Sequence, residues 1–216
     1  MQAEPVRTAT EVKVWDQLVR IFHWSLVVAF ATAYITGEEE TAAHDWAGYV
    51  VLGLVAFRIL WGFVGTRHAR FADFVHAPRT VLAYARDLLT GRTRRYLGHN
   101  PLGGVMIVAL LVSLTATGGT GWQLEQIEKG EHAASLQAPT PTLAALMPIA
   151  PAYADDDYDC DGHEGKCGEN ALEEAHEFFA HLTLILVFLH VAGVIAGSLL
   201  HRENLVRAMF TGRKSV

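Results

Sequence analysis

Residues 180–200 read AHLTLILVFLHVAGVIAGSLL, a run without Asp, Glu, Lys or Arg. A run of that length is enough to cross a bilayer as a helix. In the hydrocarbon core no water satisfies a bare peptide group, so such a run has few options besides a membrane-spanning helix. Three histidines, His176, His181 and His190, are set in or just before it. An ionisable side chain at that depth is costly and usually faces the interior of a bundle, where it has a function. At 100° per residue, fourteen residues return His190 to within about 40° of His176, about 21 Å further along the axis. His181 lies about 140° away from His176 and points elsewhere.

Three more windows have the same character, giving spans over Leu18–Thr36, Trp46–Val64, Pro101–Thr120 and Phe178–Leu200. The 51% apolar content fits a multi-pass chain. The amino terminus carries acids and lacks a small-residue cleavage site behind a short apolar core, so it is not read as a signal peptide. Basic residues fix the orientation. Arg7 and Lys13 precede the first span, seven arginines lie in 65–100, and Arg202, Arg207, Arg213 and Lys214 follow the fourth. The remaining loops hold only Lys129 and Lys166, which places both termini and the 65–100 loop in the cytoplasm. The expected fold is therefore all-α: one integral membrane four-helix bundle over 1–216 with both termini cytoplasmic. Segment 121–177 is expected as an acidic outer loop. No nucleic-acid partner is implied, because the arginines report orientation.

The first span opens with VWDQLVRIFHWSLVV, placing Arg20 and His23 near its cytoplasmic end. A short outer turn leads to His44 at the mouth of the second span. From His23 to the outer end of the first span is about thirteen residues, or ~20 Å of helix, so the offset between His23 and His44 matches that between His176 and His190. Arg58 lies within the second span, one or two turns before the cytoplasmic face. Both arginines have two readings: snorkelling to the interface, or neutralising a buried anion such as a haem propionate. In the 65–100 loop, Val81, Leu82, Ala85, Leu88 and Leu89 form one apolar face, read as a short helix on the membrane surface. Asn100-Pro101 is a cap and first-turn pair for the third span, which has no histidine and is expected to supply packing contacts.

Zinc ligands cluster around one point, whereas these histidines are spread in depth. Haem takes one axial ligand from each of two facing helices, and a four-helix bundle supplies that geometry. Matching depths pairs His23 with His190 toward the cytoplasm and His44 with His176 toward the outside. Two bis-histidine haems stacked in this way make an electron path with no open iron position. No Cys-x-x-Cys-His attachment motif occurs, so both would be held non-covalently as haem b.

The segments VWDQLVRIFHW, HDWAGYVVLGLVAFRILWGFVG, RFADF, GHNPLGG, AHEFF, LHVAG and ENLVRAMFTGRK resemble the bacterial cytochrome b561 and nickel-iron-hydrogenase cytochrome b-subunit superfamily. The resemblance covers nearly the whole chain apart from about Gly121–Asn170. It implies a four-helix b-type cytochrome of the bacterial cytoplasmic (inner) membrane, passing electrons between quinone, ubiquinone or menaquinone, and a redox partner. The family's ligand positions fall on His23, His44, His176 and His190. Three functions follow: transfer between the quinone pool and a periplasmic carrier such as a c-type cytochrome; the membrane anchor of a hydrogenase or other dehydrogenase; or a superoxide:quinone oxidoreductase. A quinone is expected on the cytoplasmic side, near the basic loop carrying Arg67, His68 and His99, while an outer site near Glu38–His44 stays open.

The outer segment is strongly acidic, with Asp155, Asp156 and Asp157 among many acids. It is expected to dock a positively charged electron carrier. Asp157-x-Asp159-x-Asp161-Gly162 copies the start of a calcium loop, with Glu169 one position past the acid such a loop requires. Cys160 and Cys167 are expected to close a disulfide rather than hold a metal with His163.

Overall fold

The computed structural model describes residues 11–37, 41–92, 96–137 and 164–215, with no account of the side chains at 11, 131–137, 164–170 and 215. The chain runs β1 (Glu11–Lys13), α1 (Gln17–Thr36), α2 (Ala42–Val64), a 3-10 turn (Arg67–Ala69), α3 (Phe71–Phe74), α4 (Pro78–Leu89), α5 (Pro101–Gln137), α6 (Glu164–His201), α7 (Leu205–Thr211) and β2 (Arg213–Ser215). Helices α1, α2, α5 and α6 are each long and apolar enough to cross a membrane. The fold is an all-α membrane bundle.

Local signals explain where the helices begin. The Asp16 side chain accepts from Val19 N at 2.8 Å to cap α1, and Asn100 Oδ1 accepts from Gly103 N at 2.7 Å to cap α5. Pro101, lacking an N–H, sits where none is needed. Asn204 caps α7 in the same way, through Arg207 N at 2.7 Å. Helix α7 ends at Gly212, whose φ of 77° is left-handed. A Cβ there would come within 2.7 Å of the Trp15 carbonyl oxygen, so the close approach also requires glycine.

The helices pack in sequence, α1 on α2, α2 on α5 and α5 on α6. The core between the first three is Ala29, Val51, Val55, Leu111 and Leu114. Helix α5 carries no histidine in its membrane-crossing half and packs on both neighbours. Gly118 admits Leu52 of α2, and the Ser113 hydroxyl meets Thr183 of α6 at 2.6 Å. Helix α6 lies along α5 and stands off from α1 and α2, which it faces mainly through histidines.

At the arginine-rich end the first and last described segments meet. Strand β1 pairs antiparallel with β2, Lys13 opposite Arg213, and Val14 N and Trp15 N both donate to Gly212 O. The Asp16 carboxylate also accepts from Thr66 Oγ1 and Trp61 Nε1, joining the start of α1 to the end of α2. Burial alone would raise its pKa, but the bonds from Thr66, Val19 and Trp61 outweigh burial and hold the carboxyl below its ordinary value. Helix α4 exposes Leu82 and Leu89 and buries Tyr84 against Tyr96.

Two boundaries differ from the sequence expectation. The second span begins at Ala42, so His44 belongs to the first turn of α2 rather than to a loop ahead of it. Segment 121–177 is helix at both ends, since α5 continues to Gln137 and α6 starts at Glu164. At 1.5 Å per residue these helices of 37 and 38 residues are about 55 Å long, well beyond the ~30 Å hydrocarbon core. The extensions are rich in Glu, Gln, Leu, Ala and Lys, strong helix formers, and Lys129 pairs with Glu125 one turn back. Tyr49 of α2 donates to the same Glu125.

Candidate functional site

The histidines meet as two pairs. His23 of α1 faces His190 of α6 with ring centroids 6.4 Å apart, and His44 of α2 faces His176 of α6 at 6.1 Å. A metal–imidazole bond of ~2.0–2.1 Å plus ~1.1 Å from nitrogen to ring centre puts the rings of a trans pair ~6.3 Å apart. Both pairs stand at that spacing. Among the described residues no group of three or more His, Cys, Asp or Glu gathers as a metal site, so two-ligand pairs are what the bundle offers. The residues fit haem.

The outer pair is held by backbone. His44 Nδ1 lies 2.8 Å from Ala33 O, and His176 Nδ1 lies 2.9 Å from Thr117 O and 3.1 Å from Thr120 Oγ1. A carbonyl only accepts, so Nδ1 carries the proton in both rings and Nε2 keeps its lone pair for a metal. Gly121 completes the wall: a Cβ there would sit 2.8 Å from His176 Cε1. Sequence reading missed Ala33, Thr117 and Gly121, although Thr117 and Gly121, four residues apart, share one face of a helix. The inner pair lacks that support on α1, where buried His23 Nδ1 has no hydrogen-bond partner.

Arg58 lies fourteen residues after His44, so the same helical arithmetic puts it on the same face of α2, about 21 Å further along the axis. That is the depth of the inner pair. It is 4% exposed and packed between Phe71 and Phe74, with its Cζ 5.6 and 5.7 Å from the ring centres. Its buried Nη1 has no partner. A guanidinium enclosed by rings, with a donor unspent, suits a buried anion better than snorkelling does. Arg20, one turn before His23, donates through Nη1 to the Phe210 carbonyl at the end of α7, and its Nε is buried without a partner.

The groups expected around a cytoplasmic quinone are differently committed. His68 bonds Asp73 at 3.0 Å and Arg67 lies 3.8 Å from the same carboxylate. His99 is enclosed between Trp15 and Phe74, with centroids at 4.4 and 5.1 Å. Burial foremost, with the positive charges of Arg58 and Lys214, pushes its pKa down to about 3, so the imidazole is neutral. His181 bonds the Glu177 carbonyl at 3.0 Å on an exposed face, outside both pairs. Asp157, Asp159, Asp161, Cys160, His163 and Glu38 lie outside the described residues, as do Asp155 and Asp156. Glu169 and Cys167 fall on the first turns of α6, which already runs from the eighth position of the expected calcium loop.

The profile of the prokaryotic cytochrome b561 family matches residues 14–212. A "Probable Ni/Fe-hydrogenase B-type cytochrome subunit" of Rhodobacter capsulatus is 23% identical over 241 aligned positions, covering 98% of this chain and 84% of that protein. Proteins of the same name from Azotobacter vinelandii and Bradyrhizobium diazoefficiens are 30% identical over 138 positions and 31% over 118. The match spans 57% of the length of the Azotobacter relative. No solved structure matches the chain. With nearly its whole length under the family profile, the chain belongs to the prokaryotic cytochrome b561 family.

Proposed function

We propose that this b561-family chain binds two b-type haems and passes electrons across a bacterial inner membrane, between the quinone pool and a redox partner on the outer side such as a c-type cytochrome. The observation that carries the reading is the pair of facing histidine couples, at 6.4 and 6.1 Å, separated by about 21 Å of helix. Haem bound at each couple supplies reversible one-electron reduction; the rest is the work of the chain. His23 and His190 hold the inner group, and His44 and His176 the outer one. The Ala33 and Thr117 carbonyls fix the outer rings and make them more basic, which favours the oxidised metal. Arg58 neutralises a propionate of the inner group, and Arg20 adds a second positive charge one turn from His23, which favours the reduced metal there. The two sites are thereby given different potentials by their surroundings. Acids near the extended ends of α5 and α6, Glu125, Glu128, Glu173, Glu174 and Glu177, attract a cationic partner, and the sequence between the two helices adds Asp155, Asp156 and Asp157 to that charge.

The names of the relatives favour a second reading from the same geometry: a membrane subunit linking a hydrogenase or related outer dehydrogenase to quinone. Both readings require the same ligands. Redox titration of purified wild type and of His44→Ala and His190→Ala proteins tests them. Each variant should lose one of two titrating components, a different one in each case. Identical two-component titrations in all three proteins would end the assignment. Co-purification with a large outer subunit separates the second reading from the first.

A further inference from the structure

We infer that Ser113 of α5 and Thr183 of α6 are positioning residues for both ligands carried by α6, because their buried contact fixes the register of that helix midway between His176 and His190. This rests on the reading that the two histidine pairs hold haem, and it names the residues that set how α6 presents its rings.

Thr183 lies seven residues after His176 and seven before His190. Seven residues make about two turns, with a rise of about 10.5 Å and a drift in phase of about 20°, so the three side chains line one stripe of α6. Each pair takes one ligand from this helix and the other from α1 or α2. Thr183 is fully enclosed at 0% exposure, and Ser113 is 3% exposed.

The hydroxyl protons follow from the distances. Thr183 Oγ1 donates to Phe179 O, one turn back, at 2.8 Å, which spends its single proton. Ser113 is therefore the donor in the 2.6 Å contact with Thr183. The reverse assignment would leave that Phe179 oxygen only the 3.5 Å contact from Ser113. Thr117 Oγ1 donates to Ser113 O at 2.9 Å, and Thr117 O accepts from His176 Nδ1 at 2.9 Å. The bonds leave α6 at His176, pass through Thr117 and Ser113 of α5, and return to α6 at Thr183 and Phe179. A closed circuit of this kind opposes both sliding and rotation of α6 on α5.

Apolar packing does not supply that restraint. Lipid tails are as apolar as the leucines of two adjacent spans, so a directional bond specifies register even where it adds little stability. A single buried asparagine fixes the register of a coiled coil in the same way. Helix α6 has particular need of it, since it lies along α5 and meets α1 and α2 mainly through its histidines.

The test is electron paramagnetic resonance and redox titration of haem-loaded Thr183→Val, Thr183→Ser, Ser113→Ala and Thr115→Val proteins. Thr183→Val keeps the side-chain shape and removes the hydroxyl. Thr115 is exposed and donates to Leu111 O of its own helix, so Thr115→Val controls for loss of a hydroxyl as such. Thr183→Val and Ser113→Ala should keep two haems per chain and shift both low-spin signals. The oxidised-to-reduced ratio of the outer haem at fixed potential should change at least about twofold, because the bond on His176 tunes the metal. Thr183→Ser should restore the wild-type signals, and Thr115→Val should leave them unmoved. Loss of a haem in Thr183→Val that Thr183→Ser restores would be the stronger form of the same result. Unmoved signals in Thr183→Val and Ser113→Ala, or an equal shift in Thr115→Val, would overturn the proposal. A shift of the outer signal alone would make the contact a support for His176 only and overturn the shared register. Fewer than two haems in wild type would remove the haem reading itself, whatever the variants do.

Discussion

Gly121→Ala should loosen the outer haem while leaving the inner one intact. The added Cβ would lie 2.8 Å from His176 Cε1 and 3.2 Å from Nδ1. Carbon contacts are comfortable at about 3.5–4.0 Å, so the ring must retreat by roughly 0.7 Å. Retreat away from α5 stretches the 2.9 Å bond from Nδ1 to Thr117 O toward about 3.6 Å, where it no longer counts as a hydrogen bond. Losing that bond costs about 0.5–1.5 kcal/mol, and losing an outer-shell partner of a ligating histidine costs about 10–100-fold in metal affinity. Glycine to alanine inside a helix otherwise stabilises by up to ~1 kcal/mol, so general unfolding has the wrong sign to mimic the effect. The assay is haem per protein after gel filtration, with electron paramagnetic resonance to read the angle between axial rings. Outer-haem affinity should fall 10–100-fold, with the outer low-spin signal shifted and the inner one unmoved. Full loading with both signals unchanged would refute the placement of Gly121 against a ligand.

His44→Ala or His176→Ala should each remove one haem, His23→Ala or His190→Ala the other, and His181→Ala neither, read by haemochrome assay. Arg58→Gln should lower the inner haem potential by tens of millivolts in redox titration, because a positive charge at that depth favours the reduced iron; about 59 mV corresponds to a tenfold change for one electron. His99 titrates near 6.5 when unfolded and is held neutral down to about 3 when folded, so the unfolded chain binds the extra proton across that window. Stability at the end of the bundle that holds His99 should therefore be full above about pH 6.5 and decline as pH falls toward 3, and His99→Phe should flatten that decline in thermal melts. Electron exchange with a basic cytochrome should slow as salt shortens the Debye length from ~10 Å at 0.1 M to ~3 Å at 1 M, and slow likewise in Asp155→Asn/Asp156→Asn/Asp157→Asn protein. A rate indifferent to both would place the partner elsewhere.

The membrane helices and the histidine pairs are legible in the sequence because few physical constants govern them. Bilayer thickness sets span length, and 100° per residue sets which side chains share a face. His176 and His190 could be read together from spacing alone, and His23 and His44 followed from depth. What spacing does not carry is the commitment of a side chain to a neighbour distant in sequence. Arg67 and His68 look available in the basic loop until Asp73 is seen to hold both. Arg58 reads equally as snorkelling or buried until Phe71 and Phe74 close over it. The pairing of β1 with β2 joins segments about two hundred residues apart, and three-residue strands leave no alternation to read. The helical continuation past Thr120 was hidden because charge marks the end of a membrane span, not the end of a helix, and WQLEQIEK serves both descriptions.

One chain should hold two six-coordinate haems, each between two histidines. Pyridine haemochrome quantitation against amino-acid analysis, with electron paramagnetic resonance of the oxidised protein, tests it directly. Two b-type haems per chain and two low-spin signals are expected, with no high-spin component. One haem per chain, or a high-spin signal showing an open iron position, would contradict it.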